Sequence, residues 1–177
     1  MFFFKSYYQT IIKHDLVNAF IYDNVKQIPQ LKTIVLNFGL KTSNFKQLTS
    51  SLLALELISS KKSILTKSKC VNIILKIKKG NPVGCKVVLS KSIMYSFYLK
   101  LVIFILPKIK QFQTNQNQKN LKSKNAISIS VQNSFLFNEL ENHYQFFKNI
   151  PTLNITLITK TNSQEELFFF LKSIKFF

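Results

Sequence analysis

Apolar residues recur along this chain in two rhythms, one helical and one alternating, and the two rhythms take turns. Ser6 to Phe20 is helical, with Tyr8, Ile11, Ile12 and Leu16 on one stripe and Lys13 and Asp15 off it. A loop through Asn24 and Pro29 leads into Leu31 to Phe38. There Ile34, Leu36 and Phe38 alternate with Thr33, Val35 and Asn37, the pattern of a half-buried strand, and Gly39 ends it. Asn44 to Ile58 returns to the helical period, with Leu48, Leu52, Leu55 and Ile58 facing the core. Asn44 serves as its cap, and Gln47 stands three residues on, as in a capping box. Ile64 to Lys69 and Gly84 to Leu89 are predicted strands, and VNIILKIKKGNP between them is a protruding basic loop or hairpin.

Ile93, Phe97, Leu101 and Ile105 recur every fourth residue and mark a buried helix that Pro107 terminates. Residues 113–125 are polar, without period, and read as a mobile low-complexity loop. Ile127, Ile129 and Val131 alternate with Ser128, Ser130 and Gln132, a strand expected to pair onward with Phe135 to Leu140. Leu153, Ile155 and Leu157 form another strand. Ser163, followed three residues later by Glu166, is a capping box opening a last helix through Ile174, with Glu165 and Glu166 at its favourable end. The order predicts an α+β fold: a largely antiparallel sheet, helices packed on one face, and 1–177 as a single domain.

Charge changes the picture. The chain carries 25 cations against seven acids, a formal net charge of +18, and every cation is a lysine. Such a field attracts polyanions, nucleic acid first and an anionic membrane surface second. None of the predicted strands carries an acid, and their solvent faces offer Thr33, Asn37, Lys67, Lys69, Lys86, Ser128, Ser130, Gln132, Thr156 and Lys160. One polar-to-basic face of a sheet whose other face lies under helices is a platform for RNA. Without arginine, phosphate is held by point charges rather than planar forks. Arginine and tryptophan are absent while Phe, Ile, Asn and Lys abound, the signature of an AT-biased genome such as an organelle's.

Other chemistries find little footing. Cys70 and Cys85 make no disulfide framework and read as free thiols in a reducing compartment. His14 and His143 stand in no metal-ligand spacing with them, and no zinc pattern forms. Cys85 lacks a neighbouring histidine and reads as a buried strand residue rather than a nucleophile. KKGNPVG lacks the phosphate-loop pattern, and the acids form no acid–base pair. No catalyst, cofactor or metal is expected. The opening MFFFKSYY has the look of neither a signal peptide nor a transit peptide, so an organellar protein would have been made in its organelle. Ile93 to Leu106 is interrupted by Lys100 and falls short of the roughly 20 apolar residues of a span.

The stretch KIKKGNPVGCKVVL, followed by MYSFYLKLVIFILPKIKQF, resembles the family of large-subunit ribosomal protein number five, which binds 5S ribosomal RNA. The likeness rests on Gly80, Pro82, Val83, Gly84, Cys85, Lys86, Val87 and Leu89, then on Met94, Tyr95, Phe97, Leu106 and Pro107. Leu36-Asn37-x-Gly39 and Thr66-Lys67 keep the same order upstream. The resemblance implies an α+β sandwich in the central protuberance of the large ribosomal subunit. Its implied partners are 5S rRNA, large-subunit rRNA, neighbouring central-protuberance proteins, and a small-subunit protein across an intersubunit bridge. It assigns Asn37, Thr66, Lys67 and Lys86 to the 5S-facing sheet. Lys69, Lys76, Lys78 and Lys79 belong to a loop aimed at peptidyl-site transfer RNA, and Gly39, Gly80, Pro82, Gly84 and Pro107 to the scaffold. The chain departs from the family pattern where Ser60 to Ser63 replaces Gly-Gln-Lys-Pro, where Ile73-Ile74 replaces Ala-Gly, and at Val88. The expected place is the mitochondrial ribosome, with the plastid second. An alternative reading is a basic peripheral membrane protein laying Phe-rich helices and lysines on anionic lipid.

Overall fold

The computed structural model describes residues 6–40, 44–109 and 123–176. A wide π-helical turn, Tyr8–Ile12, leads into α1, Lys13–Ala19. β1 (Gln30–Gly39) and α2 (Phe45–Ser59) follow, then β2 (Ile64–Lys67) and β3 (Pro82–Leu89). α3 (Lys91–Lys100) continues through a π turn, Leu101–Ile105, and a 3-10 turn, Leu106–Lys108. After β4 (Ala126–Val131) come a 3-10 turn (Ser134–Leu136), α4 (Asn138–Glu141), α5 (Tyr144–Phe147), β5 (Leu153–Lys160) and α6 (Gln164–Ser173). The strands form one antiparallel sheet in the order β2-β3-β1-β5-β4, so the fold class is α+β.

The chain divides into two compact units. The first comprises Met1–Ile34, Ser90–Ser128 and Thr156–Phe177, the second Val35–Leu89 and Ile129–Ile155. In the second unit α2 lies on β3, burying Leu48, Ala54, Leu55 and Ile58 on one side and Cys85, Val87 and Leu89 on the other. The Cys85 thiol faces the Ser51 hydroxyl, and burial raises its pKa. In the first unit α1 packs on α6, with Tyr8 edge-on to Phe170 and Phe20 edge-on to Phe169 at centroid distances of 6.4 and 5.6 Å. Tyr98 stacks on Phe176 and donates its hydroxyl to the Ile174 carbonyl at 3.0 Å.

Most expected elements form, and the departures have local causes. The strand expected at Phe135 to Leu140 is a 3-10 turn and a short helix. The Asn133 side chain accepts from the Phe135 N–H at 3.0 Å, which starts a turn instead of a ladder. Asn44 does cap α2, accepting from the Lys46 N–H, but Gln47 does not reach back to it. Its amide donates to the Asn149 carbonyl at 2.7 Å. At α6 the Ser163 hydroxyl accepts from the Glu166 N–H, while the Glu166 carboxylate accepts from Asn162 rather than from the cap residue.

The buried stripe of α3 begins at Met94 rather than Ile93 and leaves Ile103 and Phe104 exposed, so that helix is not buried all round. Pro107 opens the closing 3-10 turn, where its missing N–H costs nothing. Ile11 is exposed although it was placed on the apolar stripe. The expected loop 113–125 lies outside the described residues up to 122. Its last residues are fastened, since Thr159 donates its N–H to the Asn125 carbonyl at 2.8 Å. Among the described residues no helix is long and apolar enough to cross a membrane.

Two outcomes test this packing. A Cβ on Gly84 would sit 2.5 Å from the Phe38 carbonyl oxygen and 2.9 Å from the Thr66 hydroxyl. Gly84→Ala is therefore expected to cost about 1–3 kcal/mol in urea unfolding, because the backbone oxygen cannot swing aside. The second concerns alkali. The Tyr98 phenol, ordinarily at 10.0, is held well above that by burial, and Tyr8 is pushed up to about 12, chiefly by burial. The folded protein keeps protons that the unfolded chain releases, so stability is complete below about pH 10 and is lost as pH rises beyond it. Tyr98→Phe, compared with the parent by thermal melting at about pH 8 and about pH 11, should flatten that decline.

Candidate nucleic-acid interface

The site grows from the register of β2 on β3. Residues directly opposite in an antiparallel ladder share a face. Leu65 lies across from Cys85, on the side of the core, and Ile64 across from Lys86, on the other side. Thr66 lies across from Gly84 on that second side, and a bulge between Thr66 and Lys67 sets Lys67 opposite Pro82. The hydroxyl of Thr66 occupies space that any side chain at Gly84 would claim. On β1, Phe38 points into the core, which turns Asn37 to the opposite side, where it is half-buried. Asn37, Thr66 and Lys86 thus share one face within the second unit. That face is not purely polar, for Ile64 and Val88 are exposed on it.

Beyond the bulge the chain leaves the sheet as a hairpin closed at two levels. At its base, Ser68 donates to the Asn81 carbonyl at 2.8 Å and Gly80 donates to the Ser68 carbonyl at 2.9 Å. Nearer the tip, Asn72 and Ile77 exchange both backbone hydrogen bonds at 2.9 Å. The Asn72 side chain accepts from the Leu75 N–H, which ties down the turn itself. Gly80 has φ +89°, a conformation that side chains resist, and Pro82 opens β3, where a strand end tolerates a missing donor. Lys76 takes a left-handed backbone in the tip. Ile77 is 6% exposed, whereas Ile73 and Ile74 are 87% and 92% exposed. Sequence reasoning noted this greasy pair only as a departure from a pattern; the structure makes it the outermost apolar surface of the hairpin.

Each expected contact residue can now be placed. Lys67 ends β2, Lys86 projects from β3, and Lys69, Lys76, Lys78 and Lys79 lie along the hairpin, all exposed. Lys69 was expected to close a strand and instead belongs to the hairpin, because the bulge ends the pairing at Lys67. Lys160, offered as part of the same polar face, donates its ammonium to the Lys26 carbonyl in the first unit. Gly39 ends β1 with open space around its missing side chain, so packing does not require a glycine there. Ser128, Ser130 and Gln132 are exposed along and just past β4, while Thr33 and Thr156 are half-buried.

The electrostatics are one-sided. No acid occurs between Leu57 and Asn138, a segment that contains β2, the hairpin, β3 and β4. The nearest upstream carboxylate, Glu56, accepts hydrogen bonds from the Ser63 N–H and hydroxyl at 2.9 and 3.1 Å. Among the described residues none of the six lysines named above forms an ion pair. Cys70 is exposed and Cys85 buried, both free, and the described residues hold no cluster of three metal-ligating side chains.

A sheet face and arm charged in this way define a non-catalytic α+β protein built to meet a polyanion. Residues 82–176 match the family model for the C-terminus of the large-subunit ribosomal protein five family. The chain is 34% identical to large ribosomal subunit protein uL5m of Reclinomonas americana, over 92% of its own length and 90% of that protein's. It is 34% identical to large ribosomal subunit protein uL5 of Desulfosudis oleivorans over the same shares. To uL5 of Mycoplasma pneumoniae it is 31% identical, over 96% and 94%. The chain belongs to the uL5 family of large ribosomal subunit proteins. Its relatives are structural proteins of the ribosome, and it is not an enzyme.

The shape of the hairpin is testable. Gly80→Ala would force a side chain into the left-handed region at a cost of about 1–2 kcal/mol, concentrated at the hairpin base. Amide hydrogen exchange should then quicken at Ser68 and Gly80 while β3 stays protected. Unchanged exchange at these two amides would show that the base does not depend on this glycine.

Proposed function

We propose that this protein is a structural constituent of the mitochondrial large ribosomal subunit, working as one domain that holds 5S rRNA in the central protuberance. The observation that carries the reading is the acid-free face of β1, β2 and β3 together with the lysine-bearing hairpin, in a chain of the uL5 family. On this reading Lys67 and Lys86 pair with 5S phosphates, while Asn37 and Thr66 hydrogen-bond to the same RNA from the sheet. Lys69, Lys76, Lys78 and Lys79 reach peptidyl-site transfer RNA, with large-subunit rRNA, neighbouring proteins and a small-subunit protein meeting other surfaces. Binding proceeds by phosphate pairing and polar contact, with no bond made or broken. The mitochondrial assignment draws on the likeness to uL5m of Reclinomonas americana and on the AT-biased composition, which also points to synthesis inside the organelle.

The test is binding of the full chain to a 5S rRNA transcript across a salt series. With about six phosphates engaged, affinity should fall roughly a thousandfold between about 50 and about 200 mM salt. Lys86→Gln should weaken binding and reduce the salt slope by about one. The pair Lys76→Gln and Lys78→Gln should leave 5S affinity in place and reduce crosslinking to transfer RNA in assembled ribosomes. A salt-independent affinity, or equal effects of all three substitutions on 5S binding, would overturn the division of labour.

A further inference from the structure

A second surface of the same unit has the chemistry of RNA recognition and lies outside the sheet face and hairpin. The start of α2 and the segment from α5 to Ile150 enclose an open groove of about 590 Å³. Lys46 and Lys148 line it, with the amides of Asn44, Gln47 and Gln145 and the ring of Phe146, and no carboxylate takes part. The two walls are tied together by the Gln47 amide on the Asn149 carbonyl at 2.7 Å, so the groove exists before anything enters it.

Its aromatic residues are the unusual part. Phe146 is 71% exposed, and Phe45 and Tyr144, next in sequence to groove residues, are more than half exposed as well. The Tyr144 ring rests against Phe135 at a centroid distance of 4.7 Å, which holds it in place. Exposed rings beside unpaired lysines are not explained by packing. They match what an unpaired nucleotide presents: a flat base to stack and a phosphate to pair, with a base edge for neighbouring amides. Stacking of this kind is worth about as much for one base as for another, so the site would tolerate sequence. An acidic peptide would use the lysines and leave the rings idle. A groove of this volume falls in the roughly 300–1,000 Å³ range of small-ligand sites, suiting one or two nucleotides rather than a duplex.

We propose that this groove binds one or two nucleotides of an unpaired RNA strand, stacked on Phe146 and paired with Lys46 and Lys148. The test uses the full chain and a short oligouridylate, unlabelled for affinity and carrying 4-thiouridine for crosslinking. Phe146→Ala should weaken oligouridylate binding roughly tenfold, the weight of one base–aromatic stack. Because Phe146 lies largely in solvent, the circular dichroism melt should stay unchanged. The pair Lys46→Gln and Lys148→Gln should also weaken binding and lower the single-strand salt slope by about 1.4. Crosslinks should map to Tyr144 to Lys148, and Lys86→Gln should leave oligouridylate affinity as it was, which separates this site from the proposed 5S surface. Crosslinks confined to the hairpin or β3, unchanged affinity in both groove variants, or equal competition by polyglutamate would each overturn the proposal.

Discussion

The missing side chain at Gly84 is the point on which the second unit turns. It lets β3 approach β1 closely enough for the Leu40 N–H to donate to the Val83 carbonyl at 2.9 Å, beyond the last residue of β1. It also lets Thr66 of β2 fold its hydroxyl over the same spot. Three strands are thereby fixed in register at one residue. Because a one-residue slip in a strand would exchange its two faces, that fixation is also what keeps Cys85 and Val87 under α2 and Lys86 in solvent. The core and the basic face are two results of one steric fact.

Holding a chain of net charge +18 together leaves few acids for ion pairing, and the structure uses them differently. Glu56 closes the turn after α2 through Ser63, and Glu166 fastens the entry to α6 through Asn162. These carboxylates satisfy backbone N–H groups that would otherwise lack partners at helix ends. They stabilise local geometry without neutralising the sheet face or the hairpin. The lysines therefore keep their field, and the apolar cores of the two units carry the burden of stability against self-repulsion.

Much of this was legible in the sequence because strand alternation and core burial are the same fact seen twice. Ile34, Leu36 and Phe38 are all buried, as are Leu153, Ile155 and Leu157. The glycine–proline signature around Gly80 to Gly84 disclosed the turn and the close approach, since few residues but glycine serve there. What escaped was whatever depended on partners distant in sequence or on a local hydrogen bond. Gln47 looked like half of a capping box and is occupied by Asn149, 102 residues away. Phe135 to Leu140 has the hydrophobicity of a strand, yet Asn133 bends the backbone before a ladder can start. Phe146 passed as one phenylalanine among 18 in a chain whose composition discounts them, and only its place beside Lys46 and Lys148 gives it meaning.

The double closure of the hairpin has a thermodynamic meaning. Ordering a residue from a free loop costs about 1–2 kcal/mol of backbone entropy, and a dozen loose residues would forfeit that on meeting RNA. Here the backbone pairs at Ser68 and Asn72 have already fixed most of that freedom during folding. The arm arrives at its partner in a settled shape, with lysines at set spacings along a stem and an aliphatic end held away from the body. Its encounter is then governed by long-range attraction and fit, as with a rigid key on a charged shank.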